Sequence, residues 1–315
     1  MKRHLRSILL VLAFLVGGVF HETLSQWNGW LPIGIALMLS ISFIGVDVAK
    51  LRPHRLHLLI VFAIEVVGLG SFALARLSGH PVLAESLYYC GCAPVAAAAP
   101  VIVHLLRGKV EFITMAMLIS HAVFAVLTPF VLPLVVHDPQ LGYTEFMLLV
   151  AKQMASILAA PALISVVLRV IYPPCKAWSA KLGDVSLGIW IFNLTIISAG
   201  GIHRLLLLHV SVAEMLPMAL GAVLICAFGF LAGYRLGYPE YKRECSQALG
   251  QKNTILTLYI ASQPYASPLA YLGPVCYVFC HNIANAVQLS LAERERRATQ
   301  GKEPATSGGD GAKAD

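Results

Sequence analysis

Charge is what this chain has least of. Asp, Glu, Lys and Arg make up 12% of its 315 residues, and acidic side chains number only 16. A water-soluble domain of this length needs far more charged surface, so that class is excluded. A cysteine framework is also missing. The seven cysteines have neither metal-ligand spacing nor a disulfide-staple pattern, and read as small, buried, reduced residues. No nucleophile–base set stands out. Neither an enzyme nor a cofactor or metal is therefore expected.

What fills the chain is apolar: 58% of it is hydrophobic. Runs of that kind predict ten membrane spans, at about 5–21, 31–48, 56–78, 84–106, 110–136, 144–171, 183–208, 213–236, 243–263 and 267–291. The first begins with Lys2, Arg3 and Arg6, as a signal peptide would. It has no small-residue cleavage site and leads through His21-Glu22-Thr23 into another span, so it reads as a retained helix. Residues 1–292 form one transporter-sized membrane domain, and the polar stretch 293–315 reads as a disordered cytoplasmic tail.

The basic residues sort by loop. Nineteen of the 23 Lys and Arg fall on one side: in the N-terminal segment, around 50–55, 107–109, 169–181 and 235–243, and after 293. Only Arg76 and Arg204 fall on the other, and Lys152 and Lys252 lie inside spans. The positive-inside rule then puts both termini in the cytoplasm of a cell whose inner membrane holds the chain. The net charge of +7 reads as topology and not as nucleic-acid affinity. The partners expected are the lipid bilayer and a small molecule.

Two spans are interrupted near their middle, at Gly91-Cys92-Ala93-Pro94-Val95-Ala96-Ala97-Ala98-Ala99-Pro100 and at Ala248-Leu249-Gly250-Gln251-Lys252-Asn253-Thr254. Irregular backbone at that depth survives only where it is buried in protein or lines a wet cavity. The interruptions fall in the fourth and ninth spans, at corresponding places in repeats of about 5–136 and 144–291. Five spans is an odd number, so the repeats must be inverted. The predicted fold is an all-α membrane protein of ten transmembrane helices in two inverted five-helix repeats, with discontinuous helices 4 and 9 crossing at the midplane. A matched pair of breaks points to the binding site of a secondary transporter.

These residues resemble a known family. Gly91-Cys92-Ala93-Pro94 through Leu105-Leu106-Arg107-Gly108-Lys109-Val110 is similar to the fourth-span signature of the bile acid:sodium symporter family, approximately G-C-x-P-G-G-x-x-S-N-x-x-T-x-L-x-x-G-[DN]-V. Ala248 to Thr254 resembles its E-x-G-x-Q-N-[ST] crossing. Ser267-Pro268-Leu269-Ala270, His281-Asn282, and Ile35 to Met38 with Ile44 to Asp47 resemble further segments. The resemblance spans most of residues 5–292. It implies a panel of spans 1, 2, 6 and 7 rocking against a core of spans 3–5 and 8–10. It also implies that substrate lies near Ala96, Ala97, Asn253, Thr254, His281 and Asn282, with Asn253 opposite His281 and Asn282.

The departures are specific. Where the family places sodium ligands, this chain has Ala99, Pro100, Ile113, Met117, Ala248 and Lys252. Apart from the lysine these are aliphatic, ring and thioether groups, which cannot hold a hard cation. Conventional sodium coupling is expected to be lost. Lys252 and Glu65, both placed at mid-membrane, are expected to pair, the ammonium standing where the family's sodium stands. An intramembrane ionisable group is a functional candidate by default. His121, Asn193 and Thr195 carry no such support, and His121 reads as a structural bond.

The expected function is a secondary transporter of a small organic anion by alternating access, not sodium-coupled, with proton coupling or none. Two other classes stay open: an arsenite-type metalloid exporter using Cys90 or Cys92 as a soft ligand, and a transport-dead membrane receptor.

Overall fold

The computed structural model describes residues 2–136, 140–209 and 211–300. It is all-helical. Among the described residues seven helices are long and apolar enough to cross a membrane: His21–Ile44, Arg55–Leu77, Val110–Val135, Tyr143–Ile171, Gly183–Leu207, Val212–Leu236 and Leu272–Arg294. Helices hydrophobic on every side are stable only in a core or in lipid. Accordingly Leu58, Phe62 and Leu74, Val170 and Ile171, and Leu224 and Phe228 stand on the outside.

In chain order the principal helices are α1 (Lys2–Val19), α2 (Leu31–Ile44), α3 (Arg55–Leu77), α4 (Pro81–Cys92), α5 (Ala99–Leu105), α6 (Val110–Val135), α7 (Tyr143–Ile171), α8 (Gly183–Leu208), α9 (Val212–Leu236), α10 (Lys242–Gly250), α11 (Thr254–Ala261) and α12 (Leu272–Gln300). The apolar part of α1 covers only Ile8–Val19. The stretch beginning at 293 was expected to be disordered, yet α12 continues to Gln300. Ala292-Glu293-Arg294-Glu295-Arg296-Arg297 is made of strong helix formers, which carry the helix beyond its apolar part. Residues 301–315 of that stretch lie outside the described residues.

The helices pack in two groups, joined where α6 lies on α7. In one, α1 lies on α8, and α2 lies on α7 and α8. In the other, α3 packs on α4, α9 on α10, and α12 on α4 and α9. Glycines allow the closest approaches. A Cβ on Gly91 would fall 2.6 Å from the Gly68 nitrogen, and one on Gly229 would fall 2.6 Å from the Leu249 carbonyl oxygen. Only a residue without a side chain lets two helix backbones meet at such distances.

Candidate functional site at the helix breaks

Local chemistry sets the first break. Pro94 has no N–H and pushes the residue before it into extended backbone, so α4 stops at Cys92 and Ala93 sits at φ −54, ψ 132. Helix resumes at Ala99, with Pro100 in its first turn, where a missing N–H costs nothing. In the second break α10 ends at Gly250 and α11 starts at Thr254.

The two breaks satisfy one another. Ala96 N–H donates to the Gln251 carbonyl at 2.9 Å, and Asn253 N–H donates to the Pro94 carbonyl at 2.7 Å. Together they make a one-pair antiparallel bridge between Val95 and Lys252. Val95 N–H donates to Ser120 Oγ at 3.1 Å. Backbone groups that lipid could never satisfy are thus paired across roughly 150 residues of sequence. At the basic end of the bundle, Arg243 Nη1 donates to the Leu106 carbonyl at 2.8 Å, and Lys109 N–H donates to the Glu244 carboxylate. These contacts tie the start of α10 to the end of α5. Lys109 also ion-pairs with Glu240. The lysine's hydrogen bond lowers the Glu240 carboxyl from its ordinary value, and the Lys109 amine is raised in turn.

A cavity of about 1330 Å³ runs from the crossing toward the basic end, between α2 and α8 on one side and α5, α6 and α12 on the other. Asp47, Lys50, Arg107 and Arg243 line its outer part. Its deep part is lined by Ala96, Ala97, Asn253, Thr254, His281 and Asn282, the six residues expected to face substrate, together with Gln251 and Lys252. Among the described residues no acceptor meets the amide N–H of Ala97 or Ala98.

Three side chains here are buried with hydrogen-bonding capacity to spare. His281 is 6% exposed, and its Nδ1 has no partner. Its ring stands edge-on to Tyr277, whose hydroxyl donates to the Gly250 carbonyl at 3.0 Å. Gln251 Oε1 is likewise unpartnered. Lys252 is 3% exposed and donates from Nζ to the Gly91 carbonyl at 3.1 Å. Buried polar groups in folded proteins are nearly always paired, so these atoms are exceptions beside the cavity.

One expectation needs correction. Glu65 and Lys252 form no direct ion pair among the described residues. The ammonium reaches the carbonyl end of α4 instead, and the half-buried Glu65 is only within Coulombic range. Asn253 lines the cavity with His281 and Asn282. Its Nδ2 donates to His121 Nε2 at 2.9 Å, while His121 Nδ1 lies 2.9 Å from the Met117 carbonyl. With Nδ1–H donating to that carbonyl, Nε2 is free to accept, so His121 orients the crossing asparagine. The reading of His121 as a structural bond agrees with these contacts.

The six positions expected to have lost sodium ligands fall into two settings. Ala99, Ile113 and Ala248 are fully buried in apolar packing. Pro100, Met117 and Lys252 line the cavity. Cys90 and Cys92 are buried and are not among the residues that line the cavity. No family model matches the chain, and no curated protein matches its sequence.

Proposed function

We propose that this protein is a secondary transporter of a small organic anion that works by alternating access without sodium. One observation carries the reading. Two interrupted helices cross by backbone pairing at the floor of a large cavity that Gln251, Lys252, Asn253 and His281 help to line. Such floors are where secondary transporters hold substrate. The free amides of Ala97 and Ala98 suit a carboxylate, with His281 and Asn282 as its polar neighbours.

In this reading the paired half-helices α4–α5 and α10–α11 each count as one crossing. With α1 and the seven long helices they make ten, arranged as two inverted repeats. The group α1, α2, α7 and α8 is then the panel and the remainder the core, as the resemblance to the bile acid:sodium symporter family implies. With the basic loops and both termini in the cytoplasm of an inner membrane, the cavity is open inward. The opposite end is shut by bonds between the groups. Arg204 Nη2 donates to the Ser262 carbonyl at 2.6 Å, and Tyr265 Oη donates to Gln153 Oε1 at 2.9 Å. Glu85 accepts from Ser267 N–H at 3.0 Å and from the Tyr89 hydroxyl at 3.0 Å within the core group.

The test is uptake of labelled carboxylates by proteoliposomes, with sodium or choline as the only external cation. Uptake of at least one carboxylate, equal in the two media, supports the proposal. Strict sodium dependence would overturn the coupling assignment, and binding without uptake would favour a receptor.

A further inference from the structure

Beside the cavity wall, α12 carries a second, apolar stripe. Ile283, Val287 and Leu291 recur every four residues and so share one face of the helix. Ile283 is 64% exposed. α1 passes in front of this stripe. It lies on α8 and reaches α12 at Phe14, whose ring centre is 4.6 Å from that of Phe279. From that contact toward the basic end the two helices enclose a groove of about 520 Å³, walled by Leu10 and Val11 of α1 and by the α12 stripe.

The groove has a polar end and an apolar length. Asn282 and Ser290 also line it. Asn282 Nδ2 donates to the Val278 carbonyl at 2.7 Å, and Ser290 Oγ to the Ala286 carbonyl at 2.8 Å, both back into α12. Arg294 is the one charged residue on the groove wall among the described residues. It is exposed and has no partner among them. From Phe279 to Arg294 α12 rises about 22 Å at 1.5 Å per residue. One leaflet is half of a bilayer about 40–45 Å thick with its headgroups, so it is about 20–22 Å deep. Placed in a membrane, the groove therefore runs from the midplane to the headgroup layer. Phe14 meets Phe279, while the earlier Leu10 and Val11 share the groove with later residues of α12. The two helices are thus antiparallel, and the first turns of α1, which hold Lys2, Arg3 and Arg6, lead to the same end as Arg294.

We propose that this groove seats an anionic phospholipid, with an acyl chain along the stripe and the phosphate on the Arg294 guanidinium. A chain of methylenes matches a wall that offers little else, and a headgroup of net negative charge matches the unpartnered cation at its mouth. The seat lies on the seam between the helix groups, since α1 belongs to one and α12 to the other. A bound lipid holds the two at their present spacing. Asn282 and Ala286 line the groove and the cavity alike, so the lipid also backs the cavity wall. Neither the inference nor its test depends on what the cavity carries.

Full-length protein in detergent is given equal amounts of phosphatidylglycerol and phosphatidylcholine, and retained lipid is read by native mass spectrometry. Wild type should keep one phosphatidylglycerol in preference to phosphatidylcholine by about fivefold or more, the effect of one basic residue at a membrane surface. Arg294→Gln should cut that preference about fivefold. Lys176→Gln, which removes an exposed charge elsewhere, should leave it unchanged. Ile283→Trp should fill the groove and lose the lipid. Leu224→Trp, at a 69% exposed position on α9, should keep it. In case Ile283→Trp fails to fold, wild type supplies a second readout: phosphatidylglycerol should raise its melting temperature and phosphatidylcholine should not. The proposal is overturned by equal retention or equal stabilisation with the two lipids, or by a preference that survives in Arg294→Gln. It is equally overturned if Lys176→Gln lowers the preference as much, which would show diffuse attraction, or if folded Ile283→Trp and Leu224→Trp behave alike.

Discussion

Arg204→Ala should open the end of the bundle opposite the basic loops. Arg204 sits on α8, and its guanidinium donates at 2.6 Å to the carbonyl of Ser262, the residue that ends α11. In the transporter reading the bond joins the two helix groups at the closed end and exists only while that end is shut. A hydrogen bond from a charged donor contributes about 1.5–3 kcal/mol. Removing it from one state of a two-state carrier shifts the equilibrium by about 10- to 150-fold. An alternative state held at roughly one part in a hundred would rise to roughly one in ten at the lower figure and become the majority at the upper. The assay is labelling of Ala97→Cys, a cavity position, by a membrane-impermeant maleimide added to one side of oriented proteoliposomes. With Arg204 intact the label should enter from the basic side. With Arg204→Ala, labelling from the other side should speed up about tenfold or more. Removing the neutral Gln153–Tyr265 bond with Tyr265→Phe should do the same more weakly, by about 0.5–1.5 kcal/mol. Unchanged labelling from both sides in Arg204→Ala, with the protein folded, would refute the claim that this contact holds the closed state.

Four further outcomes follow from the same geometry. His281→Gln and Asn282→Ala should express and melt much as wild type does yet lose anion binding, measured by thermal shift, and normal binding in both would move the site elsewhere. Ser120→Ala strands the Val95 N–H at the crossing, and should cost about 1–3 kcal/mol in unfolding, read as a lower melting temperature. Gly91→Ala should destabilise by about 1–3 kcal/mol or more, because its methyl would drive into the Gly68 backbone; a neutral result would mean that α3 and α4 can part freely. Glu65→Gln and Lys252→Met should be nearly additive in a double-mutant cycle, because the two groups share no direct contact, and a coupling above about 1 kcal/mol would show that they meet.

Much of this molecule is local chemistry and was legible residue by residue. The apolar runs foretold membrane helices because an unpaired backbone amide is intolerable in lipid, and helix is how a single segment pairs its own. Pro94 marked where α4 stops because it lacks an N–H. Ala96, Ala97, Asn253, Thr254, His281 and Asn282 do share one cavity. What the sequence could not decide is which group meets which. Lys252 had Glu65 as an apparent partner and found the Gly91 carbonyl, Asn253 bonds to His121, and His281 Nδ1 was left alone. Each pairing depends on the rotation and rise of helices that are more than a hundred residues apart for Lys252 and Gly91, and for Asn253 and His121. A shift of one residue turns a helical side chain by about 100° and moves it about 1.5 Å along the axis. Composition and depth confine a polar side chain to a layer of the membrane, and only the packed structure selects its partner within that layer.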